Sequence, residues 1–190
     1  MLQTTFANGK LWGALDTALT IDSVNQAAVE YFIVTPTTAS GSVSASVTRA
    51  GYLGLSGTNV TYPAVGVTTS GRGVVAFTVV GPGNFPSAGY TSLDAKTGAG
   101  AVHIVAAGAG PADGFSGYRV FANPPNFIAR PRWGDYGASA VVGDSIFIAS
   151  EYISQTCTLA QYETSPFGSC GGTRSSLANW ATRITQLTTK

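Results

Sequence analysis

Three short stretches decide the fold, and they read alike. Asn8-Gly9 leads into Lys10-Leu11-Trp12-Gly13-Ala14. Ser70-Gly71 leads into Arg72-Gly73-Val74-Val75-Ala76-Phe77, and Gly143-Asp144 into Ser145-Ile146-Phe147-Ile148-Ala149. Each is a turn signal followed by an apolar or aromatic run, and two of the three have a favoured pair for a tight hairpin loop. A strand of small residues precedes each one, at 4–7, 64–68 and 138–142. Tyr62-Pro63-Ala64 and Tyr136-Gly137-Ala138 also match at the starts of two of these strands. The hairpins are spaced by 62 and then 73 residues.

The same pattern holds along the chain. Apolar segments are short and alternate with period two, at 10–18, 28–34, 42–48, 62–68, 73–80, 88–93, 101–106, 137–142, 145–153 and 180–187. Gly, Pro, Asn, Asp or Ser bound each of them, which marks turns. Only 157–163 has a mildly helical pattern. The chain therefore reads as all-β. A unit of roughly 40–70 residues holding three or four strands is the signature of a β-propeller blade. Small residues suit the innermost strand, where side chains crowd the central axis. Bulky residues on the second and third strands then pack blade against blade. The expectation is one domain, 1–190, of three four-stranded blades: 2–53, 60–107 and 135–188. The last blade lacks an evident fourth strand. A long loop rich in Gly, Pro and Asn, 108–133, separates the last two, and loops of that length are often functional.

Composition narrows the function. Only 10% of the 190 residues are charged, 24 are glycine and the net charge is +1. Such a chain has no broad electrostatic footprint for nucleic acid or an anionic membrane. A hydrophobic content of 44% argues against disorder. No apolar run reaches the roughly 18 residues of a spanning helix. Met1-Leu2-Gln3-Thr4-Thr5 lacks the pattern of an export leader, so the chain as made is expected to be cytoplasmic.

Arg132-Trp133-Gly134-Asp135-Tyr136, taken with Ser145-Ile146-Phe147-Ile148-Ala149-Ser150-Glu151-Tyr152, resembles the last blade of secreted bacterial propellers of the sialidase-like superfamily. Asn8-Gly9-Lys10-Leu11-Trp12-Gly13-Ala14-Leu15, Phe85-Pro86-Ser87-Ala88, Gly110-Pro111-Ala112-Asp113-Gly114-Phe115 and Ala178-Asn179-Trp180 are similar to other parts of that family, in one order. The resemblance is to the C-terminal half of such proteins, and it implies a propeller from a family that is secreted. It does not imply sialidase activity. There is no Ser-x-Asp-x-Gly-x-x-Trp box, and the arginine triad and Tyr–Glu pair of a sialidase find no place here. Three blades do not close a ring, and the two open blade faces are apolar, which marks an interface. A second copy related by a twofold axis would complete six blades.

Charge is scarce, so its clusters stand out. Arg130, Arg132, Trp133, Asp135 and Tyr136 lead into the innermost strand of the last blade, at the expected mouth of the axis. Arginine offers a fork of donors to carboxylate or phosphate, and Trp a stacking face. Asp135 suits a metal or acid–base chemistry; a turn cap paired to Arg132 is its structural alternative. Asp113 and Arg119, with Tyr118, would line the same mouth, where Asp113, Asp135 and backbone carbonyls would suit a calcium ion. No cofactor is otherwise implied. Glu151 follows on the next strand. His103, the only histidine, reads as a general base or a hydrogen-bonded structural residue. Cys157 and Cys170 bracket a 12-residue loop, and export of the family favours a disulfide over two thiols.

Two functions follow. One is a hydrolase at the tunnel mouth, acting on an ester, phosphoester or glycoside, with Asp135, Arg132, Tyr136, His103 and Glu151 as its catalytic set. Arg130, Trp133, Asp113 and Arg119 would then bind substrate. The alternative is a non-catalytic module that binds glycan or peptide, or a truncated piece of a larger secreted propeller.

Overall fold

The computed structural model describes residues 3–112, 119–120, 130–131, 133–134, 136–157, 159–163, 170 and 179–188. The chain is all-β, built from antiparallel meanders. The first sheet is β1 (Thr4–Ala7), β2 (Lys10–Ile21), β3 (Val24–Ala39) and β4 (Ser42–Leu53), in that order. The second is β5 (Asn59–Val67), β6 (Arg72–Gly81), β7 (Asn84–Asp94) and β8 (Gly98–Ala106). β9 (Arg119–Val120) and β10 (Arg130–Pro131) form a small ribbon inside the segment expected to be loop. The last sheet is β11 (Ala138–Val142), β12 (Ser145–Ile153) and β13 (Trp180–Thr188), three strands among the described residues. The single helix among them is α1 (Leu159–Glu163), within the stretch with a helical pattern.

The three turn signals sit where they were expected. Asn8 and Gly9 both take positive φ, 51° and 69°, as a two-residue hairpin loop with the twist of its strands requires. Asp22-Ser23 and Ser40-Gly41 do the same, with φ of 51° and 65°, then 50° and 77°. Their tightness lets β2 and β3 pair without interruption from Leu11↔Val34 to Ile21↔Val24. These strands are therefore longer than the alternating segments suggested.

The sheets stack face to face, with the second in the middle. Its strands alternate between two neighbours. Val65, Val67, Val75, Phe77, Val79 and Leu93 pack with Trp12, Val29, Tyr31 and Ile33 of the first sheet. Ala64, Val74, Ala76 and Tyr90 pack with Ile146, Ile148 and Leu187 of the last. This is why β6 is buried continuously from Gly73 to Val79. It is apolar at nearly every position because neither face meets water. Trp12 is fully buried, and its indole N–H donates to the Ala7 carbonyl at 3.0 Å.

The first strands of the three sheets come together. Thr5 donates to the Val65 carbonyl at 2.8 Å, joining β1 to β5. Gln3 donates to the Ser139 carbonyl at 3.0 Å and accepts from the Ser139 hydroxyl at 3.2 Å, joining the start of the chain to β11. Small residues permit this approach. A Cβ on Gly66 would lie 2.8 Å from Ile146 Cγ2 and 3.1 Å from Ser139 Cβ.

Both outer faces of the stack leave large apolar side chains exposed. Phe6, Leu11 and Tyr52 are exposed on the first sheet, Phe6 by 65%. The carboxylate of Glu30 lies directly across from Tyr52, hydrogen-bonds its phenol and holds it above the ordinary tyrosine range. On the last sheet Val142, Trp180 and Ile184 are exposed, Ile184 by 68%.

Candidate functional site

Three of the residues singled out in the sequence meet at one junction. Trp133, Tyr136 and Glu151 lie together with Tyr62, Thr78 and Ser150, where the second sheet faces the start of the last. The middle sheet supplies two of these. Tyr62 sits in a bulge of β5, between Thr61 and Ala64, with φ of 57°. Its backbone N–H donates to Asp16 Oδ1 of β2 at 2.9 Å, so the first sheet anchors the bulge. Thr78 of β6 accepts from the Trp133 indole N–H at 3.3 Å, which docks the incoming segment on the middle sheet.

The last sheet supplies the acidic group. Glu151 of β12 lies with its carboxylate against the backbone of Gly134, where any side chain would collide with it. Gly137 is crowded as well, because a Cβ there would be 3.0 Å from the Tyr62 carbonyl. Glycine at 137 thus lets this segment pass close to the Tyr62 backbone. The neighbouring Ser150 hydroxyl is buried and has no hydrogen-bond partner among the described residues. The space these side chains enclose is too narrow for a water molecule. Tyr136, by contrast, is 73% exposed. A ligand would therefore lie on this junction rather than inside it.

His103 is elsewhere. It lies on β8, two strands from β6 and at the opposite edge of the sheet from β5. With strands about 4.8 Å apart, that is roughly 10 Å from β6. Its ring stacks on Tyr90, directly across the strand pair, with centroids 5.0 Å apart and planes at 24°. The structure thus brings Trp133, Tyr136 and Glu151 together without His103. Arg119 and Arg130 are placed by their backbones, in the β9–β10 ribbon. Asp113, Tyr118, Arg132 and Asp135 lie outside the described residues. Cys157 and Cys170 form a disulfide, with Cα atoms 6.1 Å apart. Among the described residues, no group of three or more His, Cys, Asp or Glu side chains could hold a metal.

The sequence reading missed Thr78 and Ser150, and it saw Tyr62 only as the start of a strand. Contact between sheets brings these residues to the site, and local pattern does not encode it. The positive φ of Tyr62 is equally invisible in the sequence, since tyrosine rarely adopts it.

A larger concavity lies between the second and last sheets, beside Arg72, Tyr90, Asp94, Lys96, Leu187 and Thr188, with a volume of about 630 Å³. Asp94 Oδ1 accepts the backbone N–H groups of Lys96 at 2.7 Å and Thr97 at 3.1 Å. These bonds hold its carboxyl below the ordinary range. No family model, curated protein or solved structure matches the chain.

Proposed function

We propose that the chain is a propeller-type module that binds glycans without catalysis, its ligand lying across Tyr136, Trp133 and Glu151. The observation that carries this reading is an exposed aromatic ring beside a carboxylate, over a junction closed to water. A sugar ring can lay its C–H face on Tyr136 and donate hydroxyls to Glu151, as aromatic and carboxylate groups allow. Such a platform needs no enclosed cavity, whereas hydrolysis profits from excluding water around the reacting atoms.

Three antiparallel meanders whose first strands converge support the propeller reading, as does the likeness to sialidase-like propellers. Large apolar side chains exposed on both outer faces support closure of the ring by a second copy. The Cys157–Cys170 disulfide fits an exported protein. Titration with a set of neutral oligosaccharides tests the function. Tyr136→Ala and Glu151→Gln should each weaken binding at least tenfold, with the β spectrum unchanged. Binding that survives both changes would refute the platform.

Hydrolysis is the second reading, and one observation favours it. The Glu151 carboxylate stands in the junction with the exposed Tyr136. Glycoside hydrolysis uses carboxyl groups as acid, base or nucleophile. Turnover of activated esters, phosphoesters and glycosides, lost in Asp135→Asn or Arg132→Ala with the fold intact, would favour this reading. Rates unchanged in both variants would end it.

A further inference from the structure

We infer that the groove between the second and last sheets is a second binding site, for a small aromatic carboxylate. It is separate from the Tyr136 platform and does not depend on that reading. Its volume of about 630 Å³ is in the range of small-ligand sites. Its floor is apolar, from Val74 and Leu187, and Tyr90 stands beside it. The Tyr90 ring is already braced by the stack on His103. A flat apolar ring matches these surfaces.

The rim is cationic. Arg72 and Lys96 both line the groove, two of only ten Lys and Arg residues in the chain. The Lys96 charge also helps to hold the Asp94 carboxyl low, so the three groups carry one net positive charge between them. Asp94 lies opposite Arg72 in the strand register, but its Oδ1 already accepts two backbone N–H groups. It shapes the turn that presents Lys96 and leaves net positive charge for a ligand. The first sheet holds the same turn from behind. Arg49 donates to the Ala95 carbonyl at 3.2 Å and also to that of Lys96, and the Tyr31 hydroxyl accepts the Ala99 N–H at 3.3 Å. Lys96 is thus carried on a preorganised loop, which lowers the ordering cost of binding. Arginine's planar fork is matched to a carboxylate, so Arg72 fixes the acidic end while the floor takes the ring.

The test uses 2-naphthoate and its neutral analogue 2-naphthamide, followed by calorimetry and by the ring protons of the single histidine. The acid should bind saturably at one site per chain, at least tenfold tighter than the amide, and should shift the His103 resonances. Arg72→Gln should weaken it at least tenfold and Lys96→Gln several-fold, while Lys10→Gln on the first sheet leaves it unchanged. Both groove side chains are exposed, so the fold is expected to survive, and circular dichroism checks that it does. Equal binding of acid and amide would overturn the proposal. So would unchanged affinity in Arg72→Gln, no saturable binding at millimolar ligand, or binding that leaves His103 unmoved.

Discussion

Single residues set the geometry at both ends of the middle sheet. Tyr62 accepts a left-handed backbone because Asp16 holds its N–H, and the bulge it makes carries β5 past Gly137. Asp94 does comparable work at the other end, tying the turn between β7 and β8 through two backbone N–H groups. The folded state thereby holds its carboxyl below the ordinary carboxylate range. A carboxyl held low in the folded state contributes stability above its unfolded pKa. That contribution fades as pH falls through the lower folded value. Asp94→Ala should therefore be less stable than the parent chain at neutral pH by a small margin. Chemical denaturation in parallel at pH 7 and below pH 3 should show the margin shrinking in acid. A margin independent of pH would mean that the charge is not what holds the turn. The site residues legible in the sequence, Trp133, Tyr136 and Glu151, stood out because charge and large aromatics are scarce. Nothing local in the sequence joins Arg72, Asp94 and Lys96, since only the fold brings them around one groove.

At the level of strands, small residues govern how closely sheets approach. The sequence showed a run of small residues before each hairpin, and the structure gives the reason at Gly66. With no Cβ there, Ile146 and Ser139 of the last sheet settle directly on β5. Gly66→Val would force these layers apart, and overpacking of this kind typically costs about 1–3 kcal/mol. The expected result is a lower midpoint in urea with the β spectrum retained. An unchanged midpoint would show that the contact between β5 and the last sheet contributes nothing. Strand identity was legible because period-two alternation and turn residues are local signals. Strand length was not. Asp22-Ser23 is not among the favoured hairpin pairs, yet both residues take positive φ and extend the β2–β3 ladder to its tip. The β9–β10 ribbon was illegible for a related reason, because two-residue strands are too short to show alternation.

For the whole molecule, the decisive feature is a stack of three sheets with apolar surface left on both outer sides. Phe6, Leu11 and Tyr52 face outward at one end of the stack, and Val142, Trp180 and Ile184 at the other. The low charge of the chain fits this, since few of its residues would resist burial against a partner. If each outer face covers that of a second copy, the stack is half of a closed ring and the Tyr136 platform stands at its mouth. Sedimentation equilibrium of the purified chain tests this most directly. The account predicts a mass of two chains, falling to one in a Phe6→Lys, Ile184→Lys double variant that keeps its β spectrum. A folded parent chain sedimenting at the 19.4 kDa of a single copy would contradict it.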